Sequence, residues 1–310
     1  MNAAPALLGY AAGVGFLAPR LLLRSAWPHR APALAVAVWQ GLTVAFTIAV
    51  ALAGYHLAAP TEHLHADLIA VLHSCGLTTA TATTAATAAP DPTVADRLAI
   101  TLPLSVVLLV LGCFVIEVLR GRRARSRHRE VLDMVGRRSP HLNATVLEHD
   151  RPAAYCLPGH QPRVVITVGA LRLLSPGQLE AVLEHERSHI TGRHHLVMAA
   201  TQAFARVFRR LPLAHHGQEQ TSVLLEMIAD DRALRRRSRE ELATAMYEMA
   251  AAKAAPVGAF AVGGPSAVVR MRRVLAPQRR PHVALRGTVG AAAAVVPVIP
   301  LLFGCVPTLG

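Results

Sequence analysis

Four long apolar stretches constrain this chain more than any other feature. They run from about Ala3 to Leu23, Pro32 to Leu57, Leu98 to Leu119 and Val283 to Cys305. Each is long enough to cross a bilayer as a helix, which takes about 20 mostly apolar residues. Inside them charge is nearly absent, and Arg20, Glu117 and Arg286 lie near ends where long side chains can reach the interface. With 53% hydrophobic residues, 16% charged residues and a mean hydropathy of +0.37, the 310-residue chain falls in the membrane class. The first stretch has no basic residue before its apolar run, so it reads as a membrane helix that starts outside and not as a cleaved secretion signal.

The arginines set the expected orientation. Arg20, Arg24 and Arg30 follow the first stretch, a run from Arg120 to Arg129 follows the third, and Arg270, Arg272, Arg273, Arg279 and Arg280 precede the fourth. The connection from Ala58 to Asp96 holds no Lys or Arg. The positive-inside rule then predicts both termini and the 58–96 connection outside, with a large segment in the cytoplasm. A formal charge of +13 would suit nucleic acid, but these clusters flank membrane helices and lack interleaved aromatics. Anionic membrane lipid is the expected partner, and no direct nucleic-acid binding is expected.

The expected organisation is three transmembrane helices over 1–119, a cytoplasmic domain over 120–282, and a fourth helix with a short outer tail over 283–310. In the outer connection, His63, His65, His73 and Asp67 are better read as an interfacial stretch than as a metal sensor. Cys75 and Cys305 both fall outside, where a disulfide could persist. The cytoplasmic segment alternates strands and helices. Ala144–Glu148, Ala153–Leu157 and Arg163–Val168 have strand character. Ser175-Pro176-Gly177-Gln178 forms a capping-box start for a helix over Gly177–Thr191 that stops near Gly192. Further helices are expected over Leu196–Arg209, Glu219–Ser238, Arg239–Ala255 and Ser266–Leu275.

The capped helix contains His185-Glu186-Arg187-Ser188-His189. Residues four apart share one helix face, so both imidazoles can reach one metal ion, and Glu186 flanks that face as a general base. A catalytic zinc keeps three protein ligands and one open position. The candidate for the third is Glu226 in Glu226-Met-Ile-Ala-Asp230, with Asp230 on the same face to accept the second ring N–H of a ligating histidine. Alone, that acidic pair would be no more than a solvated face; beside the histidine motif it completes a site. Asp231 could exchange roles with Asp230, His194 and His195 are weaker ligand candidates, and Arg232 and His195 are candidates for stabilising an oxyanion.

These residues resemble the membrane gluzincins of the HtpX and CAAX prenyl protease type. The run from Arg163 to His185 makes the closer resemblance to the BlaR/MecR antirepressor metallopeptidases. The resemblance implies a mainly α membrane protein of about four transmembrane helices, carrying a cytoplasmic α+β gluzincin-type metallopeptidase domain with a small sheet. It implies Zn2+ at His185, His189 and Glu226, Glu186 as base, and a winged-helix repressor as the protein substrate. Full sensor-transducers continue into an extracellular penicillin-binding domain, and none is expected here. Two alternatives stay open: a membrane-protein quality-control protease, and a catalytically silent signalling scaffold. If Arg163–Val168 is the sheet edge beside the metal helix, an extended substrate could add to it as another strand.

Overall fold

The computed structural model describes residues 3–58, 94–253, 264–276 and 283–305. Cys75 and the outer His/Asp group lie outside these residues, as does the Cys305 side chain. Three described helices are long and apolar enough to cross a membrane: Ala4–Arg24, Pro32–Ala58 and Arg97–Val135. We call the first α1 (Ala4–Arg24), which carries a π-helical turn at Gly13–Leu17. The single turn α2 (Trp27–Arg30) leads into α3 (Pro32–Ala58). Helix α4 (Val94–Val135) continues 16 residues past the expected end of its apolar stretch at Leu119, carrying the arginine run as helix. The fourth apolar stretch is two shorter helices, which we return to below.

The small sheet follows directly. Its strands are β1 (Gly136–Ser139), β2 (Ala144–Leu147), β3 (Ala154–Leu157) and β4 (Arg163–Thr167), in the order β1-β2-β4-β3. β2 and β4 are parallel, and the outer pairs are antiparallel. Strand β4 is therefore central, not the edge that the sequence suggested. Its run Val164-Val165-Ile166 is buried on both faces, with relative exposures of 3%, 0% and 0%, as a strand covered on both sides requires. The edge facing away from β2 is β3. Strand β1 escaped the sequence reading because Gly-Arg-Arg-Ser carries no apolar alternation; it pairs with β2 through a turn in which Asn143 takes a positive φ of 45°.

Seven helices complete the described chain. They are α5 (Val168–Leu173), α6 (Pro176–Thr191), α7 (His194–Val207), α8 (Pro212–Ala233), α9 (Arg239–Lys253), α10 (Gly264–Leu275) and the pair α11 (Val283–Val295) and α12 (Ile299–Cys305) taken as one broken element. Thr167 caps α5 by accepting the Ala170 N–H, and its hydroxyl also donates to the Arg151 carbonyl, tying the sheet to the preceding loop. The break between α11 and α12 falls at Val296-Pro297-Val298, where proline supplies no N–H for a helical bond. At 13 and 7 residues, neither half spans a bilayer as a single straight helix. Helix α11 nevertheless packs on α3. Gly41 permits it: a Cβ there would sit 2.9 Å from the Ala293 carbonyl oxygen.

The main core joins the apolar helices α1 and α3 to the helical hairpin α7–α8. Val14, Trp39, Phe46, Phe204, Leu213, Leu224 and Met227 belong to one buried cluster. Phe46 of α3 stands edge-on to Phe204 and Phe208, with centroids 5.9 and 5.1 Å away. Gln40 donates to Thr201 at 2.8 Å. A second cluster, including Val146, Ile166, Ala170 and Leu183, fixes α6 against the sheet. These two clusters bring α6 and α8 face to face.

Candidate metal centre

Helix α6 begins as its sequence predicts. The Ser175 side chain accepts the Gln178 N–H, the Gln178 side chain accepts the Ser175 N–H, and Pro176 occupies the first helical position. Leu183, 2% exposed, anchors the inner face to the sheet. One helical turn apart, His185 and His189 then point toward α8. On α8 the flanking Leu224, Leu225 and Met227 are buried, so Glu226 is held against the two imidazoles.

The donor atoms of these three residues converge. His185 Nε2 lies 3.2 Å from His189 Nε2 and 3.5 Å from Glu226 Oε2, and His189 Nε2 lies 3.3 Å from Glu226 Oε1. For a tetrahedral zinc with bonds of about 2.05 Å, ligand atoms stand about 3.3 Å apart. The nitrogen–nitrogen separation and each imidazole's distance to its nearer carboxylate oxygen, Oε2 for His185 and Oε1 for His189, lie close to that figure, and one ligand atom from each residue falls within 4.8 Å of the others. Two nitrogens and one carboxylate oxygen are also the donor chemistry that zinc accepts. The group therefore fits one ion.

Surrounding groups orient these donors. Asp230, only 1% exposed at its side chain, lies 3.0 Å from His185 Nδ1 and fixes which ring nitrogen faces Glu226. Burial opposes charge on His185, but hydrogen bonds to Asp230 and Glu226 outweigh it and lift its pKa to about 9. His189 is pushed the other way, chiefly by burial. Its Nδ1 lies 2.8 Å from Nδ1 of His194. Burial and the neighbouring His189 lower the His194 pKa to about 4, so His194 is neutral and its Nδ1 can accept from the His189 Nδ1–H. Arg193 at φ 50° turns the chain so that His194 opens α7 facing inward. A Cβ at Gly192 would lie 2.5 Å from His194 Nε2, so only glycine leaves that ring in place.

Arg270 of α10 closes the site and was not singled out in the sequence. It makes two bonds to Asp230, at 2.8 and 2.7 Å, and reaches Glu226 Oε2 at 2.7 Å. Burial raises the pKa of Glu226 and Asp230, yet bonds to His185 and Arg270 override it and hold both at about 2. Its only sequence signal was charge: two buried acids on α8 need a cation, and α10 carries several. Asp231 does not exchange with Asp230; Arg273 holds it by two bonds of 2.6 and 2.8 Å.

A cavity of about 180 Å³ opens beside the donors, lined by Cys156, Pro158, His189, His195, Ser222 and Glu226 among others. Glu186 interacts with Cys156 of β3, whose thiol pKa burial and the Glu186 carboxylate push up to about 12. His195 thus reaches the cavity, whereas Arg232 lines a different one with Arg30 and Arg273. A second group, His215, His216 and Glu219, sits at the start of α8, where both histidines pair with Glu219.

Residues 119–233 match the model of peptidase family M48. The matched region starts at the C-terminal end of the α4 apolar stretch and ends with α8, so it contains His185, Glu186, His189, Glu226 and Asp230. It supports a metal-dependent peptidase of that family. No curated protein and no solved structure matches the chain.

Proposed function

We propose that this protein is a membrane zinc endopeptidase that holds Zn2+ on His185, His189 and Glu226 and uses Glu186 as its general base. The observation that carries the reading is the convergence of one donor atom each from His185, His189 and Glu226 within 4.8 Å of one another, on a segment similar to M48 peptidases. Bound zinc would polarise a peptide carbonyl and lower the pKa of water toward about 7. Glu186 then takes the proton from the attacking water and passes it to the leaving amine as the C–N bond breaks. Asp230 and His194 hold the two imidazoles in the ligating tautomer. Arg270 keeps Glu226 ionised. His195, on the cavity wall, is the group best placed to donate to the developing oxyanion.

Substrate reaches this cavity along β3. That strand pairs with β4 on one side, and Cys156 on it touches the catalytic carboxylate. The Thr167 N–H donates to the Ala153 carbonyl at 3.0 Å. Bonding to the partner alternates along an antiparallel strand, so Ala154 and Cys156 direct their backbone groups away from β4. An extended peptide can add there.

The arginine clusters favour a cytoplasmic site and outer termini, with three membrane helices over 1–119 and the peptidase segment over 120–282. The resemblance to BlaR/MecR antirepressors favours a cytosolic winged-helix repressor as substrate. The packing of α7–α8 against α1 and α3 instead favours a quality-control protease that receives membrane proteins. Comparing cells that carry wild type with cells that carry Glu186→Gln tests all of this. Accumulation of one repressor supports signalling, accumulation of many membrane proteins supports quality control, and an unchanged proteome refutes the protease.

A further inference from the structure

We propose that the protein carries a specific site for an anionic phospholipid, with its phosphate in an arginine-lined cavity and an acyl chain in the groove between α3 and α11. The proposal rests on reading α1, α3 and α4 as membrane helices, but not on protease activity.

The cavity measures about 730 Å³ and lies where the start of α3, the end of α8, α9, α10 and α11 meet. Its wall carries Arg30, Arg232, Arg235, Arg239, Arg273 and Arg286 against one carboxylate, Asp231. Asp231 is already held by Arg273, and Arg239 donates to the Val274 and Ala276 carbonyls. Arg30, Arg232, Arg235 and Arg286 have no ion-pair partner among the described residues. Four unneutralised guanidinium groups around one concavity repel one another, and a bound anion removes that cost. Guanidinium also matches phosphate oxygens in pairs. The positive end of the 27-residue helix α3 opens into the same cavity at Ala31–Leu34 and adds to the field.

A second feature decides for a lipid over free phosphate. Along the same two helices, a groove of about 380 Å³ is lined by Trp27, Val38, Leu42, Val289, Ala292 and Val296, among others, and is almost wholly apolar. Leu34 lines the arginine cavity, and its side chain lies 3.8 Å from where a Cβ on Gly290 of α11 would sit, so the cavity and the groove both lie along the α3–α11 seam. From Leu34 to Val38 the helix rises about 6 Å, the distance from headgroup to upper acyl chain. Arg30 precedes α3 and Arg286 lies in the first turn of α11, ahead of its uncharged run, placing the cavity at headgroup level.

The test uses the full chain in neutral detergent and short-chain phosphatidylglycerol, with bound lipid counted by native mass spectrometry. Arg30→Gln, Arg235→Gln and Arg286→Gln should each weaken binding about tenfold, the loss of one charge-assisted contact. Ala292→Phe, which fills the groove without touching charge, should weaken it too. Arg122→Gln with Arg123→Gln, in the exposed run of α4, should leave it unchanged. Circular dichroism and zinc content check that each variant is folded. Equal loss in the α4 variant, equal binding of phosphatidylcholine, or displacement by inorganic phosphate at the lipid's own concentration would each overturn the proposal. Because the short-chain lipid is water-soluble, this result stands apart from the membrane reading, which alkaline extraction of cell membranes tests separately.

Discussion

At the residue scale, the site's chemistry depends on groups that touch no metal. His194 Nδ1 lies 2.8 Å from His189 Nδ1 and can accept its N–H, so His194→Ala should let that ring rotate. Loss of such an outer partner costs about 10- to 100-fold in metal affinity. Zinc titration against a competing chelator should show that drop, with His194→Asn, which keeps an acceptor, recovering part of it. Arg270 neutralises Asp230, whose side chain is 1% exposed. Arg270→Met strips the buried Asp230 carboxylate of both guanidinium bonds, leaving it only His185, and should destabilise the fold by about 3 kcal/mol, read as a fall in thermal midpoint; an unchanged midpoint would contradict the pairing. The raised pKa of His185, about 9, has two consequences of definite sign. To bind metal, the imidazolium must lose its proton, so apparent zinc affinity should rise about tenfold per pH unit below about pH 9 and then level off. Glu226, held at about 2, adds nothing to this slope above about pH 4. In metal-free protein, a group whose folded pKa is raised stabilises fully below its unfolded value. That stabilisation should be complete below about pH 6.5 and lost as pH rises through about 9, as thermal melts after chelation would show. Helical spacing alone puts His185 with His189 on one face and Glu226 with Asp230 on another, and the structure brings these two pairs together. His194 and Arg270 were not readable in this way, because one faces inward only through the positive φ of Arg193 and the other arrives from 40 residues away in sequence.

At the element scale, the strongest local signals survived folding. The capping box at Ser175 and the strand over residues 163–167 appear where their residues dictate. Helix α8 begins at Pro212, seven residues before the expected start at Glu219; Pro212 at the first helical position was the signal, and the polar His215-His216-Gly217-Gln218 run masked it. The placement of β4 was misread because edge and centre differ in long-range pairing, which local pattern does not encode. The continuous burial of Val164, Val165 and Ile166 explains the consequence. Proline at Val164 or Ile166 should break the ladder and unfold the domain, whereas Ala154→Pro removes an outward backbone donor on an edge strand, where proline is tolerated. Ala154→Pro should therefore stay folded and bind zinc while cleaving an extended peptide substrate more slowly. Full cleavage by folded Ala154→Pro would move the substrate off β3.

At the scale of the whole molecule, hydropathy divides the sequence into long apolar stretches and a polar segment similar to M48 peptidases, but the packing joins them. The joint could not be read from hydropathy because α7 and α8 are too polar for membrane spans, yet one side of α8 is buried against α1 and α3, and α7 lies along α4 with Phe204 reaching Phe46 of α3. Phe204, Leu213, Leu224, Leu225 and Met227 are between 0% and 4% exposed, in one cluster to which α1 and α3 contribute Val14, Trp39 and Phe46. Excising residues 120–282 removes that contribution. The freed side chains are contiguous along the hairpin, and fully uncovering residues of this size costs about 1.5–3 kcal/mol each. A loss of several such contacts is comparable to the whole stability of a domain, about 5–15 kcal/mol. The fragment should therefore aggregate in water, and its α6–α8 contact should loosen, since Leu225 and Met227 flank Glu226 itself. Detergent should restore solubility, and co-expression with residues 1–58 should restore zinc binding as well. A soluble, monomeric fragment that binds zinc as tightly as the full chain would show that the metal centre stands independently of α1 and α3.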